Sequence, residues 1–351
     1  MKAWVLHDIG QIQLEQVKTP ILSKHDVLVK VKAAGICGSD IPRIYQTGAH
    51  TMPLIPGHEF AGEVVRVGDA CKQNLLGARV GVFPMLPCMN CIACQNGTHE
   101  LCRNYSYLGS RRDGGFAQYV AVPEQNLLML PQSVTYEQAA MLEPMAVAVH
   151  AMRRVAPVAD RTVVVSGLGT IGLLLVMLLK QQGVSKLLAI GNKESQKVAL
   201  QSLGISAQQY CDTNTGSVPE WVMDKTNGTG ADIYFECVGK NETIEQAIAL
   251  TGPGGRICMV GNPYSDMMIS KEIYWKILRN QLVVTGTWNS SFFKAEHWEN
   301  TDWEYVLQLL AEQKIRPEQL ISHRYQLSEL EQGFSIMKNK TEDYLKIMMV
   351  S

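Results

Sequence analysis

The chain is short of net charge, of targeting signals and of repetition. Its 32 lysines and arginines balance 33 aspartates and glutamates, for a formal charge of −1. Without a basic excess there is no electrostatic footprint for nucleic acid or for an anionic membrane surface. The first residues, MKAWVLHDIG, hold no apolar stretch of signal-peptide length. No internal repeat or low-complexity tract is visible. One uncharged and largely apolar run, Thr162–Leu179, has 18 residues and lies near the lower limit for a membrane span. It contains Gly167, Gly169 and Gly172 and opens on a β-branched run. It is therefore read as strand, tight turn and buried helix.

Cysteine, by contrast, is plentiful, with nine in 351 residues. In a chain without a secretory signal that number favours a reducing cytoplasm and metal ligation over disulfides. Cys88, Cys91, Cys94 and Cys102 share one loop with the spacing C-x2-C-x2-C-x7-C. Four thiolates so close make a tetrahedral cage that fills a zinc ion's coordination shell and leaves no position for substrate. An iron–sulfur cluster is the other use of four thiolates. A zinc-ribbon nucleic-acid module is disfavoured by the neutral charge and the lack of a basic, aromatic-studded face. Cys71, Cys211, Cys237 and Cys258 read as small buried hydrophobes.

A second, sparser donor set spreads over Cys37, His58, Glu59 and Glu143. Three protein ligands and an open position give a zinc that can bind and activate an oxygen. Cys37, His58 and Glu143 make the expected trio. Glu59 is then a fourth ligand or a partner behind the ligands, and Asp40 is of the type that orients a liganding histidine.

The chain's rhythm gives its organisation. The first part is β-rich, with strands expected at Val27–Ala33, Phe60–Val67, Arg79–Phe83 and Phe116–Val122. A long helix over Glu137–Arg153 follows. From Arg161 strands recur at Thr162–Ser166, Leu187–Ile190, Gln208–Cys211, Asp232–Glu236, Arg256–Val260 and Leu282–Thr287, with helices such as Glu194–Leu203 and Glu242–Leu250 between most of them. Six strands with helical crossovers imply an α/β domain with a parallel doubly wound sheet. Its expected span is 153–288. Residues 1–152 and 289–351 then form one discontinuous β-rich domain.

Within the α/β half, Gly167-x-Gly-x-x-Gly172 follows the strand Val163–Ser166 and opens an apolar helix over Ile171–Lys180. Gly167 allows the turn, Gly169 lets a pyrophosphate approach, and Gly172 lets helix and strand pack closely. Thr170 and Ile171 complete the turn, and the helix N-terminus offers free N–H groups to the phosphates. A dinucleotide that is not phosphorylated on its ribose calls for an acid at the end of the second strand. That position is Gly191, followed by Asn192 and Lys193. The missing carboxylate and the added cation lean towards NADP, or towards loose discrimination.

These motifs together resemble the zinc-containing medium-chain alcohol dehydrogenase family over essentially the whole chain. They are Gly35-Ile-Cys-Gly-Ser-Asp40, Gly57-His-Glu-Phe-Ala-Gly62, the four-cysteine loop, Gly114-Gly-Phe-Ala117 and the glycine fingerprint. The resemblance implies a Rossmann domain joined to a GroES-like catalytic domain, one structural and one catalytic zinc, and NAD(P). Glu143, where ethanol-oxidising members carry cysteine, resembles the polyol branch. The stretches Gly38–Ile44, Gly48-Ala-His50, Gly109–Gly115 and Gly286-Thr-Trp288 look closer still to members acting on sugar-alcohol phosphates.

By that resemblance the substrate is a polyol phosphate and Ser39 takes or passes its hydroxyl proton. Arg43, His50, Arg111 and Arg112 are the candidates for holding the phosphate. A homodimer or homotetramer is implied, with Arg256–Val260 or Leu282–Thr287 as edge strands able to pair across subunits. Three departures stand out. Pro42 takes the place of the family's proton-relaying histidine, Asn289 that of an arginine in sorbitol dehydrogenases, and Gly191 that of the NAD-binding acid.

Overall fold

The computed structural model describes residues 1–156, 159–294 and 299–351. The chain divides into two compact units, Met1–Glu143 with Ser291–Ser351, and Pro144–Ser290.

The second unit is an α/β sheet. Its six strands lie in the order Tyr210–Asp212, Lys186–Gly191, Thr162–Ser166, Ala231–Glu236, Thr251–Met259 and Val283–Gly286. All the pairings are parallel. In chain order this is third, second, first, fourth, fifth, sixth, the doubly wound arrangement whose ligand crevice lies at the strands' carboxyl ends. The central strands Thr162–Ser166 and Lys186–Gly191 are apolar over most of their length, with Val163–Val165 and Leu187–Ile190 buried, as expected where both faces are covered. Val164, Leu188, Ile190, Tyr234 and Ile257 pack with Val222 and Ala247 from the helices. The uncharged run over Thr162–Leu179 resolves into the strand Thr162–Ser166 and the helix Thr170–Gln181. Among the described residues no helix is long and apolar enough to cross a membrane.

Thr251–Met259 is paired on both sides, with Ala231–Glu236 and with Val283–Gly286. The expectation that Arg256–Val260 is an edge is therefore corrected. Val283–Gly286 is the edge, because nothing follows it in the strand order.

The first unit is built on a seven-stranded sheet. Its long central strand, Asp26–Ile36, pairs antiparallel with Glu59–Val67, with Tyr119–Pro123 and with the C-terminal strand Lys346–Val350. Alternating residues such as Val29 and Val31 meet Phe60, Val64, Val80, Phe116, Phe334 and Met349 in one core. The register matters for chemistry. Gly35 faces Glu59 across one ladder, and Ile36 faces Ile347 across the other. Cys37, Glu59 and Lys346 therefore arrive at one end of three adjacent strands.

The single helix expected over Glu137–Arg153 is two helices, Tyr136–Ala140 and Leu142–Val155. Thr135 caps the first, its side chain accepting from the Gln138 N–H while the Gln138 side chain accepts from the Thr135 N–H. Pro144 starts the second, since proline has no N–H to give the Ala140 carbonyl and is tolerated in a first helical turn. This break sets Glu143 in a first turn rather than in mid-helix.

Candidate metal centres and dinucleotide site

The four-cysteine loop closes on itself. One ligand atom from each of Cys88, Cys91, Cys94 and Cys102 lies within 4.8 Å of all the others. The Cys91 sulfur is 3.6 Å from that of Cys94 and 3.8 Å from that of Cys102. A tetrahedron with zinc–sulfur bonds of ~2.3 Å has edges of about 3.8 Å, so the cage fits zinc. All nine cysteines are free thiols. Backbone N–H groups of Cys94 and Arg103 aimed at Cys91 lower its thiol to about 6. Burial raises Cys94 to about 12. A bound dication is what makes all four thiolates together.

The second set gathers at the end of the central strand. Donor atoms of Cys37, His58 and Glu59 lie within 4.8 Å of one another. The turn after the strand is closed from both sides, by Asp40 N–H to the Cys37 carbonyl at 3.0 Å and by Cys37 N–H to Asp40 Oδ2 at 3.0 Å. Ser39 Oγ donates to the Cys37 sulfur at 3.3 Å. Asp40, fully buried, places Oδ1 3.3 Å from His58 Nδ1 and 2.6 Å from Arg43 Nη1. Burial alone would raise the Asp40 carboxyl, but His58 and Arg43 outweigh it and hold the group below its usual range. Burial likewise opposes charge on His58, but Asp40 and the Cys37 thiolate prevail and keep the imidazole well above its usual value. One thiolate, one imidazole and one carboxylate at this spacing suit a zinc with room for an exogenous oxygen.

Glu143, expected as the third ligand, stands beside this trio rather than in it. Tyr107 O–H donates to Glu143 Oε1 at 3.1 Å. The Tyr107 ring packs edge-on against His58, with centroids 5.8 Å apart. Burial pushes the Glu143 carboxyl up to about 7, with His58 opposing and Glu59 adding to the rise. Glu59, expected as a fourth donor or a supporting residue, is the carboxylate that meets Cys37 and His58.

Lys346 was not foreseen. Its ammonium group is ion-paired with Glu59 and donates to the Ile36 carbonyl at 3.0 Å, with both side chains 2% exposed. Burial disfavours charge on this lysine, but Glu59 and Cys37 reverse the effect and raise its pKa. The only sequence signal is a lysine opening an otherwise apolar terminal strand. Tyr107 was missed for a similar reason, since nothing in its local sequence marks it.

The four substrate candidates separate. Arg43 is committed to Asp40. His50 and Arg112 are exposed. The Arg111 guanidinium stacks over the Tyr105 ring, 4.5 Å from its centroid.

In the other unit, Gly167 has φ +93°, and a Cβ on Gly172 would lie 1.9 Å from the Gly167 carbonyl oxygen. The turn therefore closes as the fingerprint requires. A Cβ on Gly169 would meet nothing within 4 Å, and Gly169 opens the helix Thr170–Gln181 with no side-chain cap. Open space above an uncapped helix start suits a pyrophosphate. Gly191 ends the second strand. A Cβ there would lie 2.5 Å from Gln196 Oε1 and 2.9 Å from Leu168 Cδ1. Gln196 Oε1 accepts from the N–H groups of Asn192 at 2.9 Å and Lys193 at 3.2 Å.

Residues 23–132 match the model of the alcohol dehydrogenase GroES-like domain, and residues 170–312 that of the zinc-binding dehydrogenases. The chain belongs to the zinc-containing medium-chain alcohol dehydrogenase family. It is 34% identical to the galactitol 1-phosphate 5-dehydrogenase of Escherichia coli K12, with 92% of each chain covered. The crystal structure of the galactitol-1-phosphate dehydrogenase from Escherichia coli superposes with TM-score 0.90 at 32% identity over 100% of both chains. A sorbitol dehydrogenase of Halalkalibacterium halodurans is 32% identical, over 97% of this chain and 96% of its own. A zinc-binding dehydrogenase of Sinorhizobium meliloti 1021, solved bound to NADP, superposes with TM-score 0.89 at 30% identity, covering 100% of this chain and 99% of that one.

Proposed function

We propose that this protein reversibly oxidises a secondary alcohol of a sugar-alcohol phosphate, with galactitol 1-phosphate as substrate and tagatose 6-phosphate as product. The observation that carries this reading is the mixed Cys37, His58 and Glu59 donor set with Glu143 beside it, in a chain similar to a galactitol-phosphate enzyme over nearly its whole length. When bound, zinc supplies the Lewis acidity that lowers a hydroxyl's pKa, and the nicotinamide supplies the hydride acceptor.

The chain's own residues do the rest. Cys37, His58 and Glu59 hold the metal, while Asp40 and Arg43 fix the imidazole from behind. Ser39 Oγ relays the substrate hydroxyl proton, accepting it while giving up its own. Pro42 closes the family's histidine route, so the proton leaves by way of the Glu143 carboxyl, which Tyr107 orients. In the metal-free protein burial raises that carboxyl to about 7, within the range for proton exchange near neutral pH. Cys88, Cys91, Cys94 and Cys102 hold a structural zinc.

For the cofactor, Gly167, Gly169, Thr170, Ile171 and Gly172 receive the pyrophosphate. Gly191 carries no carboxylate to repel a 2′-phosphate, and Asn192 and Lys193 follow at the strand end, which favours NADP. The exposed edge strand with Val283 and Val284, together with Trp275, Tyr274 and Leu278 on the helix Lys271–Arg279, supports pairing between copies in a homodimer or homotetramer. Nine free thiols suit a cytoplasmic location.

A second reading, oxidation of unphosphorylated polyols, is favoured by the similarity to the sorbitol dehydrogenase. Initial rates with galactitol 1-phosphate and with galactitol, each with NAD and NADP, separate the two. A strong preference for the ester supports the first reading. Preference for the plain polyol leaves a zinc polyol dehydrogenase.

A further inference from the structure

We infer that Arg111 is the cation that binds the substrate's phosphate, at a subsite one aromatic wall away from the metal centre. The substrate half of this inference rests on the polyol-phosphate reading above; the anion site itself does not.

Arg111 lies on the Gly109–Gly115 loop, and that loop is tied to the segment that carries His58 and Glu59. Ile55 N–H donates to Asp113 Oδ1 at 2.9 Å. Gly114 N–H donates to the Ile55 carbonyl and Gly115 N–H to the Gly57 carbonyl, both at 2.7 Å. A Cβ on Gly114 would lie 2.1 Å from the Gly57 carbonyl oxygen, so the two backbones are in direct contact. The distance between Arg111 and the metal ligands is thereby set by backbone packing.

The ground between them is aromatic. The Arg111 guanidinium lies over Tyr105, Tyr105 meets Tyr107 edge to face at 6.2 Å, and Tyr107 packs on His58. The wall gives a carbon chain something apolar to lie against, with a metal at one end and a cation at the other. A polyol esterified far from its oxidised carbon has that same polarity.

Stacking leaves the guanidinium free to bind. Its contact with Tyr105 uses the face of the group, whereas its N–H donors lie in the plane and point outward. Among the described residues no carboxylate pairs with Arg111. Arg43 differs on this point, since its Nη1 is 2.6 Å from Asp40 and its side chain is 18% exposed. A part-exposed, unpaired arginine is common on any surface. One fixed by backbone contact to a metal-ligand segment and held flat on an aromatic ring has already lost the freedom that phosphate binding would otherwise cost.

The test compares Arg111→Met, which keeps the aliphatic stem, with Arg112→Met and with Arg111→Lys. Zinc content and circular dichroism establish that each is folded. Inorganic phosphate is titrated calorimetrically into the zinc-loaded protein, and kcat/KM is measured for galactitol 1-phosphate and galactitol. Arg111→Met is expected to weaken phosphate binding roughly 10- to 100-fold, the scale of one charge-assisted bidentate contact. It should cost kcat/KM on the ester far more than on galactitol, mainly through KM. Arg111→Lys should fall between, and Arg112→Met should stay within about twofold of the parent.

A parent protein that does not bind phosphate, or an Arg111→Met variant that binds it as well as the parent, overturns the inference. Phosphate binding that depends on Arg111 in an enzyme preferring plain galactitol would leave the anion site standing and overturn the substrate reading instead. If Arg111→Met fails to fold, Arg111→Lys decides. Parent-like phosphate affinity and parent-like discrimination in a variant that has lost the fork would count against bidentate recognition.

Discussion

Lys346→Met isolates the buried ion pair behind the metal centre. The substitution keeps the length of the side chain and removes its charge. Glu59, 1% exposed, is left with no ammonium partner, and the Ile36 carbonyl loses its donor. Removing one member of a buried pair costs about 3–5 kcal/mol, because the remaining charge stays desolvated. A unit of roughly 200 residues shifts by ~2–4 °C per kcal/mol, so the metal-free variant should melt about 6–20 °C below the metal-free parent. Zinc offers Glu59 a second positive partner, so the gap should narrow when the site is loaded. Glu59→Gln with Lys346→Met removes both charges and should recover most of the loss, since a neutral pair carries no stranded charge. Differential scanning calorimetry of EDTA-treated and zinc-loaded protein reads all four combinations. If metal-free Lys346→Met melts within about 2 °C of the parent, or the double variant is no more stable than the single one, the pair does not neutralise Glu59 as argued.

Two further perturbations test other parts of the site. The Glu143 carboxyl is raised from an ordinary 4.5 to about 7 by burial, so the folded metal-free protein holds this proton more tightly than the unfolded chain. Its contribution to stability therefore falls as pH rises from about 4.5 through about 7, by an amount on the order of 3 kcal/mol. Urea denaturation at about pH 5 and about pH 8 should show that decline shrinking in Glu143→Gln; an unchanged decline would remove Glu143 as its source. Gly191→Asp would install the carboxylate expected of an NAD site, but its Cβ would meet Gln196 and Leu168. The variant should lose about 1–3 kcal/mol of stability and gain little NAD preference. A stable variant that switches cleanly to NAD would mean that Gln196 yields easily.

Legibility in the sequence followed locality. The glycine fingerprint and the four-cysteine loop each lie within a few residues of chain, so spacing alone carries the geometry. The central strands of the parallel sheet announce themselves by short apolar runs such as Val163–Val165 and Leu187–Ile190, because a strand covered on both faces has no polar side to disguise it. Lys346 was invisible for the opposite reason. It reaches Glu59 only because the C-terminal strand pairs beside Asp26–Ile36 in a register that no local pattern encodes. The break at Met141 was readable in principle from Pro144, but the Ala, Met and Val that surround it continue the helical pattern across the gap. Glu59 gathers with Cys37 and His58 because the Gly35–Glu59 pairing carries it to the end of the central strand. The edge strand was narrowed to two candidates by composition, and only the strand order separated them.

The three buried acids around the metal centre differ in what faces them. Asp40 has two cationic neighbours, Arg43 and His58, so it stays ionised and serves as a fixed support for the imidazole. Glu59 has the Lys346 ammonium group within ion-pair contact. Glu143 has no cation in contact among the described residues and takes its hydrogen bond from Tyr107, a neutral phenol whose own ionisation is suppressed by burial and by Glu143 itself. Burial outweighs the charges of His58 and Lys346 and lifts the Glu143 carboxyl to about 7. An enzyme that must release one proton for each hydride needs a group that changes charge at working pH. On the reading proposed above, that group is Glu143.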